Sequence, residues 1–203
     1  VTGAGANFCA GSDIAQLDQL HHTDWPVRAE TALTDFAKPV IAAIAGNCLG
    51  GGLQLAAACD VRLAADTARF AVPPAKLGIV YPLSATRRLM SLIGPSATKY
   101  LIYSGDAVNA TRALHMGLVD ELVPPDLLHD RARHLAETIA RRSQLTLQAT
   151  KQIVDDIVND RLDEATVAAW VDEAAHGPDL PEGMSAFAAR RTPQFTWTHP
   201  RRR

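Results

Sequence analysis

Three consecutive glycines, Gly50 to Gly52, are the part of this 203-residue chain that most directly indicates chemistry. They follow an apolar run typical of a β-strand at residues 39–45 and precede a small-residue helix pattern that ends at Asp60. Glycine allows a backbone to approach a bound group closely, and the first turn of a helix carries N–H groups without an intrahelical acceptor. Because the helix dipole adds positive charge there, such a turn can stabilise an oxygen that becomes negative during a reaction.

A glycine turn of this kind needs a strand before it and a helix after it, and the hydrophobic pattern predicts both. Strands are expected at 40–45, 61–65 and 70–72, with a further short run at 121–123. Helices are expected at 13–20, 25–36, 50–58, 84–92, 96–103, 111–116, 127–141, 145–159, 162–175 and 181–190. Alternation up to about residue 71, followed by helices alone, predicts an α/β core at 1–124 and a helical C-terminal region at 125–203.

Composition and charge indicate one soluble domain and exclude several classes of function. The chain is 47% hydrophobic and 21% charged, and its net charge of −2 gives no electrostatic argument for a nucleic-acid or anionic-membrane partner. No apolar run is long enough to span a bilayer, and no signal peptide is visible. The isolated Cys9, Cys48 and Cys59 fit reduced thiols, so we expect a cytoplasmic protein without a disulfide or a metal site.

A second segment gives the glycine turn its specificity. Residues 2–14 read T-G-A-G-A-N-F-C-A-G-S-D-I, and residues 38–60 read K-P-V-I-A-A-I-A-G-N-C-L-G-G-G-L-Q-L-A-A-A-C-D. In this order the two motifs resemble the enoyl-CoA hydratase/isomerase family, the crotonase superfamily. The resemblance continues through F-A-V-P at 70–73, L-G at 77–78, G-L-V-D at 117–120 and E-G-M-S-A-F at 182–187.

The resemblance implies a fold, a substrate class and an assembly. Members of this family have a spiral core of ββα turns and C-terminal helices that build trimers, often paired into hexamers. They act on acyl-CoA thioesters without a separate cofactor, since coenzyme A is part of the substrate. Family members usually have further strands before the T-G-A-G turn, so Val1 and Thr2 are expected to be the end of a strand and residues 3–7 its turn.

The family's oxyanion hole consists of two backbone N–H groups, which the motifs carry over to Ser12 and Gly51. There they would hold a thioester carbonyl and stabilise the enolate formed from it. From the residues alone, Gly51 could instead serve tight helix packing, and Ser12 or Asp13 could cap the helix that follows. The resemblance places Ala10, Asp13 and Ile14 near the CoA adenine. It places three further residues around the substrate: Gly50, Pro74 and Leu77.

The sequence departs from the family at both positions where its hydratases carry a glutamate. Gln54 stands on the glycine helix and Pro74 in the turn after residue 73, and neither side chain can transfer a proton near neutral pH. Hydration by two carboxylates is therefore not expected.

The segment at 73–81 resembles the branch that contains methylmalonyl-CoA decarboxylase, in which a tyrosine follows the L-G pair, here Tyr81. Decarboxylation needs no base, because loss of CO₂ leaves the electrons of the enolate behind. Tyr81 would hold the substrate carboxylate and Gln54 would orient the substrate or a water. From its residue type alone, Tyr81 could equally be a buried core phenol.

We therefore expect an acyl-CoA lyase that acts through a thioester enolate, with decarboxylation preferred. Two alternatives remain open, a weak or atypical enoyl-CoA hydratase and a non-catalytic acyl-CoA-binding subunit. Other polar residues have simpler interpretations: Lys76 as a solvated lysine, His21 and His22 as exposed loop residues, and the Arg87–Arg88 pair as a surface feature.

Overall fold

The computed structural model describes residues 1–16 and 25–198 and confirms an α/β architecture. Its strands are β1 (Ile41–Ile44), β2 (Asn47–Leu49), β3 (Val61–Ala65), β4 (Arg69–Ala71), β5 (Val108–Asn109) and β6 (Glu121–Val123). One sheet has the order β1-β3-β6 and is parallel throughout. The other has the order β2-β4-β5, with β2 parallel and β5 antiparallel to β4.

The helices are α1 (Trp25–Thr34), α2 (Gly51–Ala57), α3 (Pro74–Leu77), α4 (Leu83–Ser104), α5 (Ala110–His115), α6 (Leu128–Ala140), α7 (Gln144–Val158), α8 (Glu164–His176) and α9 (Asp179–Ala188). The two helices predicted at 84–92 and 96–103 form α4, which is kinked at Gly94, where φ is 73°. Pro95 follows this glycine, so the break has an identifiable chemical cause. The helix predicted at 13–20 is described only as a 3₁₀ turn, Ile14–Gln16, and its remainder lies outside the described residues.

Small apolar residues explain why β1 and β3 pair so closely. Ala42, Ile44 and Ala64 are fully buried, because a parallel sheet is covered on both faces. Asp60, the last residue of the glycine motif, anchors the start of this sheet by accepting a hydrogen bond from the Val40 N–H at 2.6 Å. The polar end of the motif thus fixes the strand that leads into the glycines.

The N-terminal segment runs beside both sheets and reaches the glycine turn. Thr2 pairs with Ala43 in a parallel bridge, which confirms the strand end predicted at the first two residues. Further along, Cys9 pairs with Cys48 of β2, and the Cys9 carbonyl accepts a hydrogen bond from the Leu49 N–H at 2.9 Å. The segment that contains Ser12 is therefore tied to the strand that ends at the glycines.

Contacts between Cα atoms divide the chain into two compact units, one of residues 1–36 with 40–133 and one of 37–39 with residues from 134 onward. In the second unit, the Trp170 and Trp197 rings lie 6.2 Å apart. The Trp197 indole donates to Glu173 at 2.6 Å, which satisfies its polar atom. The domain boundary expected after residue 124 stays a prediction.

None of the helices in the described part of the chain is long and apolar enough to cross a membrane. Over the same residues, no group of three or more His, Cys, Asp or Glu side chains is arranged to hold a metal ion. None of the three cysteines, all of which lie in the described part of the chain, forms a disulfide: Cys48 and Cys59 are buried and Cys9 is partly buried.

Candidate active site

The glycine turn adopts a backbone conformation that fixes the first peptide groups of α2. Gly50 has φ 52° and ψ −114°, values that only glycine adopts easily, and caps the helix. Its N–H donates to the Ala71 carbonyl of β4 at 2.9 Å, and its carbonyl accepts from the Gln54 N–H at 3.1 Å. Gly51 follows as the first helical residue, so its N–H has no acceptor within the helix.

Gly52 shows why the helix begins with glycines, because it meets the N-terminal segment directly. A Cβ built on Gly52 would lie 2.3 Å from the Cys9 carbonyl oxygen, a distance that a side chain cannot adopt without moving the backbone. The absence of a side chain therefore lets the segment that contains Cys9 pack directly against the start of α2. The tight packing that was the alternative interpretation of Gly51 is found at Gly52 instead, and it brings two backbone segments together.

The same approach brings Ser12 next to Gly51, as the resemblance predicts. A Cβ built on Gly51 would lie 3.9 Å from the Ser12 Oγ, and one built on Gly11 would lie 3.7 Å from the Gly51 nitrogen. Capping of the following turn is performed by Asp13, whose Oδ1 accepts a hydrogen bond from the Ala15 N–H at 3.0 Å. Capping uses a side-chain oxygen and leaves the backbone N–H of Ser12 as a candidate oxyanion donor.

Gln54, one turn into α2, is buried against a carboxylate that the sequence analysis did not single out. Its Nε2 donates to Glu30 Oε2 of α1 at 2.6 Å, and the two residues are 4% and 2% exposed. A carboxylate group accepts hydrogen bonds and donates none, so the contact fixes the orientation of the Gln54 amide. The accepting end, Oε1, is then directed away from Glu30.

Two side chains of α4 complete the cluster around Glu30. Ser84 Oγ donates to Oε2 at 3.0 Å, and the Arg88 guanidinium donates to Oε1 at 3.1 Å. The surface interpretation of Arg88 is therefore wrong: its cation compensates a buried carboxylate, whereas Arg87 is exposed. Glu30, Gln54, Ser84 and Arg88 are called the Glu30 cluster below, and they connect α1, α2 and α4.

A sequence signal for Glu30 exists but is weak. Glu30 precedes Leu33 by three residues, which places both on one face of α1, and Leu33 packs against the core. A carboxylate on an apolar helix face needs a partner, but the sequence does not show which distant arginine supplies it. Arg88, 58 residues away, can be identified as that partner only from the tertiary structure.

Tyr81 lies beside the glycine turn. Its hydroxyl donates to the Gly50 carbonyl oxygen at 3.2 Å, and its ring packs against the core. Burial raises the pKa of the Tyr81 phenol well above its usual value, and the nearby Glu30 and Cys48 raise it further. The phenol therefore stays protonated at any ordinary pH and retains the proton that it donates.

The remaining predicted binding residues differ in how exposed they are. Pro74 is buried as the first residue of α3, where a proline ring suits the helix start. Leu77 is 43% exposed, and Ala10, Asp13 and Ile14 are also exposed. Their contacts with a substrate stay predictions.

Lys76 is exposed, as expected for a solvated lysine, and it also has an ion-pair partner. Its exposed Nζ pairs with Asp106 Oδ1 at 2.7 Å. His21 and His22 lie outside the described residues.

Comparison with known proteins identifies the family. The family model for enoyl-CoA hydratase/isomerase matches residues 1–198. A probable enoyl-CoA hydratase of Mycobacterium tuberculosis is 37% identical over 206 residues, an alignment that covers 97% of this chain and 79% of the relative.

Solved structures give the same result. A crystal structure of an enoyl-CoA hydratase/isomerase family member has a TM-score of 0.92 at 32% identity, with 98% of this chain and 78% of that one covered. The enoyl-CoA hydratase of Bacillus anthracis has a TM-score of 0.83 at 34% identity, with 96% and 79% covered. The chain belongs to the enoyl-CoA hydratase/isomerase family and has the crotonase fold.

Proposed function

We propose that this protein binds an acyl-CoA thioester and stabilises its enolate with the backbone N–H groups of Ser12 and Gly51. The observation that carries the proposal is the meeting of two backbone segments at the start of α2, where Gly51 lacks an intrahelical acceptor and Ser12 lies beside it. Both residues stand at the motif positions that form the oxyanion hole in the family. Two such donors lower the barrier most when they fit the charged oxygen of the intermediate, and each is worth roughly 10²–10³ in rate.

The first candidate reaction is the addition of water to a 2-enoyl-CoA. The similar proteins from Mycobacterium tuberculosis and Bacillus anthracis are named enoyl-CoA hydratases, at 37% and 34% identity. Water adds to the β-carbon and releases one proton to solvent, the electron pair of the double bond moves to the thioester oxygen, and the α-carbon then takes a proton as the thioester carbonyl re-forms. Gln54 Oε1, with its amide held by Glu30, would accept a hydrogen bond from the water. Because Gln54 and Pro74 carry no transferable proton, solvent supplies the proton and the reaction is slow.

Decarboxylation of a 2-carboxyacyl-CoA is the second candidate, and a specific observation favours it. Neither Gln54 nor Pro74 can act as an acid or a base, whereas this reaction reaches the enolate without one. The bond between the α-carbon and the carboxylate breaks, its electron pair forms the enolate, CO₂ leaves, and solvent protonates the α-carbon. An apolar environment at the glycine turn would destabilise the substrate carboxylate more than the delocalised enolate.

Product analysis with three thioesters distinguishes these reactions. The purified protein is incubated with crotonyl-CoA, malonyl-CoA and methylmalonyl-CoA, and the products are identified by mass spectrometry. A gain of one water from crotonyl-CoA assigns the protein to hydration, and loss of CO₂ from either of the other thioesters assigns it to decarboxylation. Binding of all three without conversion would support a non-catalytic acyl-CoA-binding subunit. Absence of binding would contradict the proposal.

A homotrimer or a hexamer is part of the same proposal. The second unit carries an open apolar cavity of about 750 Å³ whose lining includes Val171, Met184 and Phe187, each of them well exposed. Apolar surface of this kind is typical of association sites. Light scattering coupled to gel filtration gives the mass directly, and a monomer would contradict the proposed oligomer.

A cytoplasmic location stays a proposal that fractionation of cells tests.

A further inference from the structure

The peptide group that joins Gly50 to Gly51 has hydrogen bonds at its carbonyl end. The Gly50 carbonyl and the Gly51 N–H belong to one planar unit. The Gly50 oxygen accepts from the Gln54 N–H at 3.1 Å, within the helix, and from the Tyr81 hydroxyl at 3.2 Å. Both lone pairs of this oxygen are therefore engaged, one by the helix and one by a side chain from the segment between α3 and α4.

Hydrogen bonds to a peptide carbonyl strengthen the N–H at the other end of the same peptide. An acceptor that is engaged draws electron density through the amide, and the N–H becomes a better donor. The bond within α2 is common to helices in general, since every N-cap carbonyl accepts one. The hydrogen bond from Tyr81 is additional to the one within the helix. The Tyr81 hydrogen bond acts on the peptide that would donate to the substrate.

The position of Tyr81 suits this effect. Its ring packs against the core, which holds the hydroxyl in place without help from a substrate. A tyrosine hydroxyl has a single proton, and here that proton is directed to the Gly50 oxygen. The hydroxyl would have to leave this bond in order to donate to a substrate carboxylate, the role predicted from the sequence.

We propose that Tyr81 is a positioning residue for the oxyanion hole, which acts on the thioester carbonyl through the Gly50–Gly51 peptide. The hydroxyl orients and polarises this peptide, so that the Gly51 N–H binds the substrate oxygen more strongly as negative charge develops on it. Tyr81 does not touch the thioester in this role. The inference rests on the proposed function, because it requires Gly51 to be a donor to the substrate.

The carbonyl stretching frequency of a bound thioester reports this effect directly. Butyryl-CoA labelled with ¹³C at the thioester carbonyl has neither a double bond to hydrate nor a carboxylate to lose, so it serves as an unreactive probe. Infrared difference spectra are recorded for the wild-type protein and for Tyr81→Phe, which removes only the hydroxyl. We expect the wild-type protein to lower the frequency relative to the probe in water, and the variant to lose part of that shift.

Two further measurements accompany the spectra. The Kd of butyryl-CoA should change by less than about threefold in Tyr81→Phe, while kcat for the substrate identified above falls by roughly 3- to 10-fold, because polarisation matters most for the charged intermediate. Tyr103→Phe is the matched control, since Tyr103 is 72% exposed. Circular dichroism and thermal unfolding confirm that each variant is folded.

The outcomes separate this inference from the proposed function. A wild-type protein that does not bind the probe, or binds it without a carbonyl shift, contradicts the oxyanion hole and the role of Tyr81 with it. A wild-type shift that Tyr81→Phe retains in full overturns the role of Tyr81 alone. If Tyr81→Phe does not fold, Tyr81→Leu and Tyr81→Met, which also lack a donor, provide the comparison, and a full shift in a folded variant likewise overturns the inference.

Discussion

The backbone part and the side-chain part of the candidate site differ in how they relate to the family. The backbone part consists of Ser12, Gly50 and Gly51, and it keeps the motif residues and brings them together. The side-chain part has lost both glutamates, and a glutamine held by a carboxylate from another helix, Glu30, stands at one of these positions. Under the proposed function, this difference means that stabilisation of an oxyanion is kept while proton transfer is arranged differently or is not needed.

The largest expected effect comes from removing the Gly51 donor. Proline suits the first residue of a helix and has no N–H, so Gly51→Pro deletes the donor at little cost to α2. We expect kcat to fall roughly 10²- to 10³-fold. Gly51→Ala is the matched control, because a Cβ there has only an ordinary contact with Ser12 and the N–H is kept.

The assay for this pair is the turnover of the thioester identified by mass spectrometry. If the proline variant remains folded and retains wild-type turnover, the backbone part of the comparison is wrong.

The second effect concerns stability, and it tests the side-chain part. Glu30→Leu leaves the buried Gln54 amide and the partly buried Arg88 cation without their partner, which costs roughly 3–5 kcal/mol. Glu30→Gln retains an acceptor for them and should cost less. Urea unfolding monitored by circular dichroism measures both free energies of unfolding.

An exposed neighbour provides the reference for this series. Arg87→Met removes a charge from the same helix without touching the Glu30 cluster and should change the free energy of unfolding by less than about 0.5 kcal/mol. A Glu30→Leu variant as stable as Arg87→Met would show that the cluster does not stabilise the fold.

The third prediction concerns a variant in which the side chains of Glu30 and Gln54 are exchanged. Gln54→Glu alone places two carboxylates at hydrogen-bond distance, so one of them must hold a proton. The double variant Glu30→Gln/Gln54→Glu keeps one carboxylate and one amide, with the direction of their hydrogen bond reversed. If water addition is limited by the missing carboxylate on α2, hydration of crotonyl-CoA should rise roughly 10- to 100-fold in the double variant.

The exchange is followed by the rate of hydroxybutyryl-CoA formation. An unchanged rate in the folded double variant would mean that residue 54 does not limit hydration.

The smallest expected effect is a change of stability at alkaline pH. Burial raises the pKa of Tyr81 above that of an unfolded tyrosine, so above about pH 10 the unfolded chain releases this proton first. The stability contributed by the protonated phenol is thus complete below pH 10 and is lost as the pH rises further. When the pH rises from about 9 to about 11, the free energy of unfolding should fall less for Tyr81→Phe than for the wild type.

Urea unfolding at both pH values gives the difference between the two proteins. Equal losses in wild type and variant would contradict the buried state of the phenol.

Local sequence was enough to predict the strands and glycines that form the backbone part. The run before Gly50, the glycine triplet and the capping Asp13 each express a preference of a few neighbouring residues. Strands β2 and β5 were missed because three and two residues are too short for a hydrophobic period. Their existence depends on the partners that β4 supplies.

The Glu30 cluster could not be predicted, because its energy comes from contacts between distant residues. Glu30 and Arg88 are 58 positions apart, and each has an ordinary surface residue type. Likewise, the direction of the Tyr81 hydroxyl depends on how the segment after α3 returns to the glycine turn. A residue type indicates which bonds a side chain can make, and tertiary packing selects the one that it does make.

A crystal structure of the protein with butyryl-CoA tests the central claim most directly. The account predicts that the thioester oxygen lies within hydrogen-bond distance, about 2.7–3.2 Å, of both the Ser12 and the Gly51 nitrogen atoms. It also predicts that the Tyr81 hydroxyl still donates to the Gly50 oxygen in the complex. A thioester whose oxygen contacts neither nitrogen would contradict the oxyanion hole, and with it the retained backbone part of the site.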